Sequence, residues 1–170
     1  MSVTKRAGIL IRPGTSSDID AIVRVTNAAY VVERELVAGE RTDAAQLMAL
    51  YSEGGFFVAC PADDLGTVVG AVHWKVTGKR GYFGLLAVSP DWQGLGISRQ
   101  LVRAVEAYCR QEGCSFLDLT VISARKQLFH FYRHLEFSSY DVEPYYAPQK
   151  QLVPFRLVRM TKALRDDTEL

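Results

Sequence analysis

The sequence predicts an α/β protein: a mixed, mostly antiparallel sheet with helices on both faces. Three observations predict it. Apolar runs of strand length at 56–60, 67–76 and 82–88 are joined by PADDLG and TGKRG, short turn-forming connections that favour antiparallel neighbours. A segment of helical period at 97–111 then leads into the apolar run SFLDLTVI, a crossover that makes the strand ending at Val88 and the one beginning near Phe116 parallel. Two shorter amphipathic segments precede the sheet.

Taken in order, AGILIRPG (7–14) reads as a first strand closed by Pro13 and Gly14. Ser17 or Asp18 can cap a first helix whose apolar positions Ile19, Ile22, Val23 and Thr26 recur at helical spacing. Thr42 is placed to cap a second helix that carries Leu47, Leu50 and Tyr51 and stops at Gly54 and Gly55. Along the strand at 67–76, Val68, Val72, Trp74 and Val76 share one face, while Val69, Ala71, His73 and Lys75 share the other, partly polar face, which predicts solvent at its far end. The helix at 97–111 aligns Ile97, Leu101, Val105 and Tyr108, and Gly113 ends it. SARKQLFHFYRHLEF predicts one more helix, followed by strands near 138–142 and 153–161. The expected organisation is one domain over 7–164 and a short flexible tail at 165–170.

With 170 residues, 48% hydrophobic and 23% charged, the chain has enough apolar material for one substantial core. A formal net charge of +1 supplies no field that would draw it to nucleic acid or to an anionic membrane. Cys60, Cys109 and Cys114 have neither zinc-knuckle spacing nor the density of a disulfide scaffold, and they read as reduced, buried thiols. Without a signal-peptide core or a stretch of about 20 apolar residues, the expectation is a cytoplasmic protein with no membrane and no nucleic-acid partner.

The chemistry concentrates in VSPDWQGLGISRQLVRAV (88–105), where a strand turns into a helix through alternate glycines. Backbone N–H groups at a helix start have no partner within the helix, so such a turn is a cradle for phosphate. Gly94 and Gly96 remove side chains that would hold a diphosphate away, Ser98 adds a hydroxyl, and Arg99 can pair with a peripheral phosphate. A Walker loop would require Gly-Lys-Ser/Thr, which GLGISR lacks, and the dinucleotide fingerprint would require glycine where Arg99 stands. A tight turn with no ligand remains the alternative.

AVSPDWQGLGISRQLVRAVE resembles the acyl-CoA binding motif of the GCN5-related N-acetyltransferase superfamily, Q/R-x-x-G-x-G/A, with Gln93 first, Gly96 fourth and Ser98 at the last small position. SARKQLFHFYRHLEF is similar to the family's later segment, with Tyr132 at the place of its frequent tyrosine and Phe137 closing the usual L-G-F. The order of elements from Ile9 to about Leu164 fits the same family. Three positions depart from it. Ser98 replaces Gly or Ala, Arg125 and Leu128 replace the Asn and Ala of an N-x-x-A pattern, and Glu136 before Phe137 predicts a helix end without the left-handed glycine cap.

The resemblance implies an acyl-CoA N-acyltransferase-like fold whose central strands splay apart after the strand ending at Val88. It further implies acetyl-CoA as co-substrate, the pantetheine arm against Leu86, Ala87 and Val88, and the diphosphate at Gln93, Gly94, Leu95, Gly96, Ile97, Ser98 and Arg99, with Arg125 nearby. Acetyl or another short acyl group would pass to a primary amine, on a small molecule or a peptide, by direct attack. A non-catalytic acyl-CoA-binding domain is the alternative, and the family habit of dimerising implies a homodimer. Tyr132 is the implied proton donor to the leaving thiolate. Glu33 and Glu35 are candidate bases, with ordinary solvated carboxylates as the competing reading. His130 and His134 lack the glutamate of the zinc-protease motif, so no metal is expected. His73 reads as a sheet-surface residue or part of an acceptor cleft. PYYAPQKQLVPF, with Tyr145 and Tyr146 between prolines, reads as a lid, a subunit contact or a plain connection.

Overall fold

The computed structural model describes residues 8–164. Ala7, expected in the first strand, and the tail expected at 165–170 lie outside the described residues. The elements run β1 (Ile9–Pro13), α1 (Ile19–Ala29), α2 (Ala44–Glu53), β2 (Gly55–Pro61), β3 (Gly70–Thr77), β4 (Arg80–Val88), α3 (Ile97–Gln111), β5 (Phe116–Ile122), α4 (Lys126–His134), β6 (Ser138–Pro144) and β7 (Arg156–Ala163). Among the described residues they form a seven-stranded sheet in the order β1-β2-β3-β4-β5-β7-β6. Its pairs are antiparallel except β4 with β5, as the crossover through α3 requires.

The sheet separates two apolar cores. On one side Ile19, Ile22, Val25 and Leu47 of α1 and α2 pack with Phe56, Val58, Ala71, Leu85 and Ala87. On the other, Ile97, Leu101, Val102, Val105 and Cys109 of α3 pack with Val72, Phe83, Val88, Leu117 and Leu119, and Tyr132, Leu135 and Phe137 join them. Full burial of each such side chain stabilises by about 1.5–3 kcal/mol, so both layers hold β4 firmly in place. Among the described residues no helix is long and apolar enough to cross a membrane.

Local chemistry moves several expected details. Asp18 caps backward: its carboxylate accepts from Thr15 N–H at 2.8 Å and takes two hydrogen bonds from Arg12 at 2.8 and 2.9 Å. Asp43, not Thr42, caps α2 by accepting from Gln46 N–H at 2.8 Å. Thr42 is buried because Asn27 of α1 clasps its backbone through two 3.0 Å hydrogen bonds. The third strand begins at Gly70 rather than 67, and the last begins at Arg156 rather than 153. Before β7, the chain instead bonds to 36–38 through Ala38 N–H to Lys150 O and Leu152 N–H to Leu36 O, both 2.9 Å.

His73 is not at the sheet surface. It is 3% exposed beneath α2, and because a carbonyl only accepts, its Nε2 donates to Leu50 O at 2.9 Å. Burial lowers its pKa, so it is held neutral. Glu136 overturns the expected loss of a left-handed cap: its φ is 71°, Phe137 N–H reaches Tyr132 O at 3.0 Å, and Glu136 N–H reaches Arg133 O at 2.9 Å. The glycine is gone, but the 6→1 and 5→2 bonds of the motif enforce its geometry on glutamate.

Candidate active site

The site begins where β4 leaves β5. Their pairing covers Arg80↔Phe116, Gly81↔Leu117 and Tyr82↔Asp118 and then stops. Arg80 clamps the closed end with two hydrogen bonds to Asp118 at 2.7 and 2.8 Å, and Tyr82 Oη meets Thr120 Oγ1 at 3.2 Å across the fork. Beyond the fork, β4 bulges. Two steps on β3, Ala71 to His73, face three on β4, Ala87 to Gly84, and Leu85 takes a left-handed φ of 51°. The extra residue reverses the alternation, so Phe83 and Val88 face the α3 core while Leu85 and Ala87 face the α1 core. Residues 83–88 thus keep β3 as partner on one edge and, among the described residues, have none on the other.

A cavity of about 330 Å³ fills this opening, lined by Leu86, Ala87 and Val88 from β4, Tyr30 and Glu33 after α1, and Arg125, Leu128, Phe131 and Tyr132 around α4. A second cavity of about 340 Å³ adjoins it and is lined by Gly94, Gly96, Ile97, Ser98 and Arg99. Val88, Gln93, Ser98 and Phe131 border both, so strand edge and glycine turn share one groove.

Gly94 and Gly96 both have φ of 77°, and Gly96 is the N-cap of α3. A Cβ at either would stand in open space, the space a ligand against the turn would occupy. The free N–H groups of the first turn of α3, with the positive end of its dipole, suit a diphosphate there. Gln93 Nε2 donates to Val88 O at 3.0 Å, tying the turn to the end of β4. Leu95 is exposed at the tip and lines neither cavity.

Tyr132 is 6% exposed, and burial pushes its phenol well above the usual range. Glu33 is 7% exposed, so it is no solvated carboxylate, and Arg125 Nη1 donates to its Oε1 at 2.7 Å. Desolvation raises the Glu33 pKa, and Arg125 and Arg41 only partly offset it. Arg125 lines the first cavity and not the second, so it stands away from the glycine turn, where it bridges α4 to the segment after α1. Glu35, two residues on, is exposed and lines neither cavity.

Tyr30 went unnoticed in the sequence. It lines the cavity with Arg41 5.3 Å above its ring, and burial pushes its pKa up to about 12. Only its place at the end of α1 hinted at this, and the Leu85 bulge was hinted at only by Gly84 within an apolar strand. Tyr145 packs 4.9 Å from Phe155, while Tyr146 is 70% exposed. His130 and His134 are exposed on α4, where His134 Nδ1 donates to His130 O at 2.8 Å.

The acetyltransferase (GNAT) family model matches residues 20–137, from α1 through the end of α4. The chain belongs to that family. Among curated proteins it is 36% identical over 140 residues to a mycothiol acetyltransferase of Propionibacterium freudenreichii subsp. shermanii, covering 78% of this chain and 44% of that protein. The chain thus spans less than half the length of that relative. Among solved structures, Ard1 from Thermoplasma volcanium superposes with a TM-score of 0.75 at 21% identity, over 93% of this chain and 99% of that one. YncA from Salmonella typhimurium, solved with acetyl-CoA, superposes at 0.70 and 18% identity, over 94% and 96%. These likenesses establish the GNAT fold, with its forked β4 and β5, for this chain.

Proposed function

We propose that the chain transfers an acetyl group from acetyl-CoA to a primary amine by direct attack. The observation that carries this reading is the unpaired edge of β4 beyond Tyr82, which opens into the same groove as the glycine turn at the start of α3. An extended amide-bearing chain can add to such an edge as a strand would, with its diphosphate on the α3 N–H groups. Family membership supports acetyl-CoA as the donor.

Bound acetyl-CoA supplies the thioester. The main-chain N–H of Leu86 or Ala87 is assigned the thioester oxygen, where its hydrogen bond strengthens as negative charge develops. Glu33, with its raised pKa, takes the proton that the attacking amine must lose. As the N–C bond forms and the C–S bond breaks, the sulfur takes the proton of Tyr132, and the proton taken from the amine restores the phenol. The products are the amide and CoA thiol. Burial keeps Tyr132 protonated, the form a donor needs, and also makes it a weaker acid.

Calorimetric titration with acetyl-CoA beside desulfo-CoA and ADP, followed by thiol release over an amine panel, tests this. The expected result is acetyl-CoA binding tighter than ADP, then amide product. Absence of binding removes the reading, and binding without product on any amine leaves a non-catalytic acyl-CoA domain. Tyr132→Phe should lower kcat by about 10- to 100-fold while acetyl-CoA affinity changes by less than about threefold. An unchanged kcat would remove Tyr132 from the reaction.

A further inference from the structure

The cavity wall at Tyr30 carries more positive charge than its lining alone shows. Glu33 and Arg125, the charged residues that line it, neutralise each other in the 2.7 Å pair. Arg41 adds a second cation over the Tyr30 ring, and its field reaches Glu33 and Tyr145. Arg41 has no carboxylate partner among the described residues. The two acids nearest it in sequence are engaged elsewhere: Glu40 accepts from Arg34 at 2.9 Å, and Asp43 caps α2. Arg125 is incomplete as well, since its Nε is buried without a hydrogen-bond partner.

An acceptor bearing several ammonium groups would meet the unpaired Arg41 here, with the carboxylate of Glu33 already taken by Arg125. An acceptor bearing its own anion would complete both arginines. We infer that the acceptor is a compact zwitterionic amine, with a carboxylate or phosphinate within a few bonds of its nitrogen, whose anion is received by Arg41 and Arg125 beside Glu33. This rests on the amine-transfer reading above and narrows it. The arginines do a second service: nearby cations disfavour the ammonium form, which eases the loss of its proton to Glu33.

The test compares matched amines with the full chain and acetyl-CoA, reading thiol release: free amino acids, the same amino acids as carboxamides, an aminophosphinate, and straight-chain diamines. Each free amino acid should exceed its carboxamide, and the aminophosphinate should exceed the diamines, in kcat/KM by about tenfold or more, the scale of a charge-assisted hydrogen bond. The more active of the two anionic arms names the source of the anion. In Arg41→Gln the ratio of amino acid to carboxamide should fall toward about 1, and Arg41→Lys should keep part of the preference by keeping the charge. Preference for carboxamides or diamines, or a ratio indifferent to Arg41→Gln, overturns the inference and leaves amine transfer standing. No transfer to any amine, with acetyl-CoA binding intact by calorimetry, overturns both.

Discussion

Replacing Arg125 with methionine would strand a buried carboxylate, and the structure bounds the cost. The Glu33 and Arg125 side chains are 9% and 16% exposed and 2.7 Å apart, so removal of the guanidinium leaves Glu33 charged in a poorly solvated wall. Breaking such a pair costs about 3–5 kcal/mol if the charge persists. It need not persist, because the carboxyl can bind a proton. Starting from its ordinary value of 4.5, holding it protonated at about pH 7 costs about 1.36 kcal/mol for each of about 2.5 pH units, or about 3.4 kcal/mol as a ceiling. At about pH 5 the same ceiling is about 0.7 kcal/mol. The sign follows from proton counting. In Arg125→Met the folded state holds a proton that the unfolded chain releases, so stability relative to the parent is kept below about pH 4.5 and lost as pH rises through the folded pKa. Urea unfolding at both pH values should show a loss of about 2–3 kcal/mol at pH 7 that largely disappears at pH 5. Adding Glu33→Gln should abolish the pH dependence. An equal loss at both pH values would refute the reasoning, because the damage would then be packing and not an unpaired charge.

Gly96→Ala forces a left-handed φ on a side chain at a cost of about 1–2 kcal/mol and fills the open space at the turn, so acetyl-CoA affinity should fall by about tenfold or more in a calorimetric titration. Arg12 holds the Asp18 carboxyl at about 2, below its ordinary 3.8. That pair therefore contributes on the order of 2 kcal/mol above about pH 4, lost as pH falls through 2. Acid unfolding of Asp18→Asn should lack this component. Glu136→Gly relieves a left-handed glutamate, and its 3.5 Å contact with Lys162 is on an 82% exposed carboxylate of little worth. Thermal melts should show a gain of about 1 kcal/mol, and a loss would mean that the contact outweighs the strain.

Much of the fold was legible because its signals are local. Short turn-rich connections announced the antiparallel β2, β3 and β4, and the 97–111 helix announced the parallel return to β5. The glycine turn was legible for the same reason, since Gly94 and Gly96 stand where a strand becomes a helix. Caps were legible only as residue types. Asp18 and Thr42 were both singled out, yet Arg12 draws Asp18 backward and Asn27 claims Thr42, and both partners come from other elements. His73 was misplaced for a related reason: strand alternation assigns a face but not what covers it, and α2 covers this one.

The sequence by itself determined the architecture, the glycine turn into α3 and the family, because strand alternation, helical period and a glycine turn each act within a few residues of the chain. Only the tertiary structure decided the cavity wall that joins Glu33 to Arg125. Glu33 and Arg125 lie 92 positions apart, and nothing in either neighbourhood says that one is the other's partner. Nor does the sequence say that Arg41 lies over Tyr30 or that Leu85 bulges where β4 leaves β5. Electrostatic pairing and the splaying of strands depend on distance through space, and folding alone sets that distance.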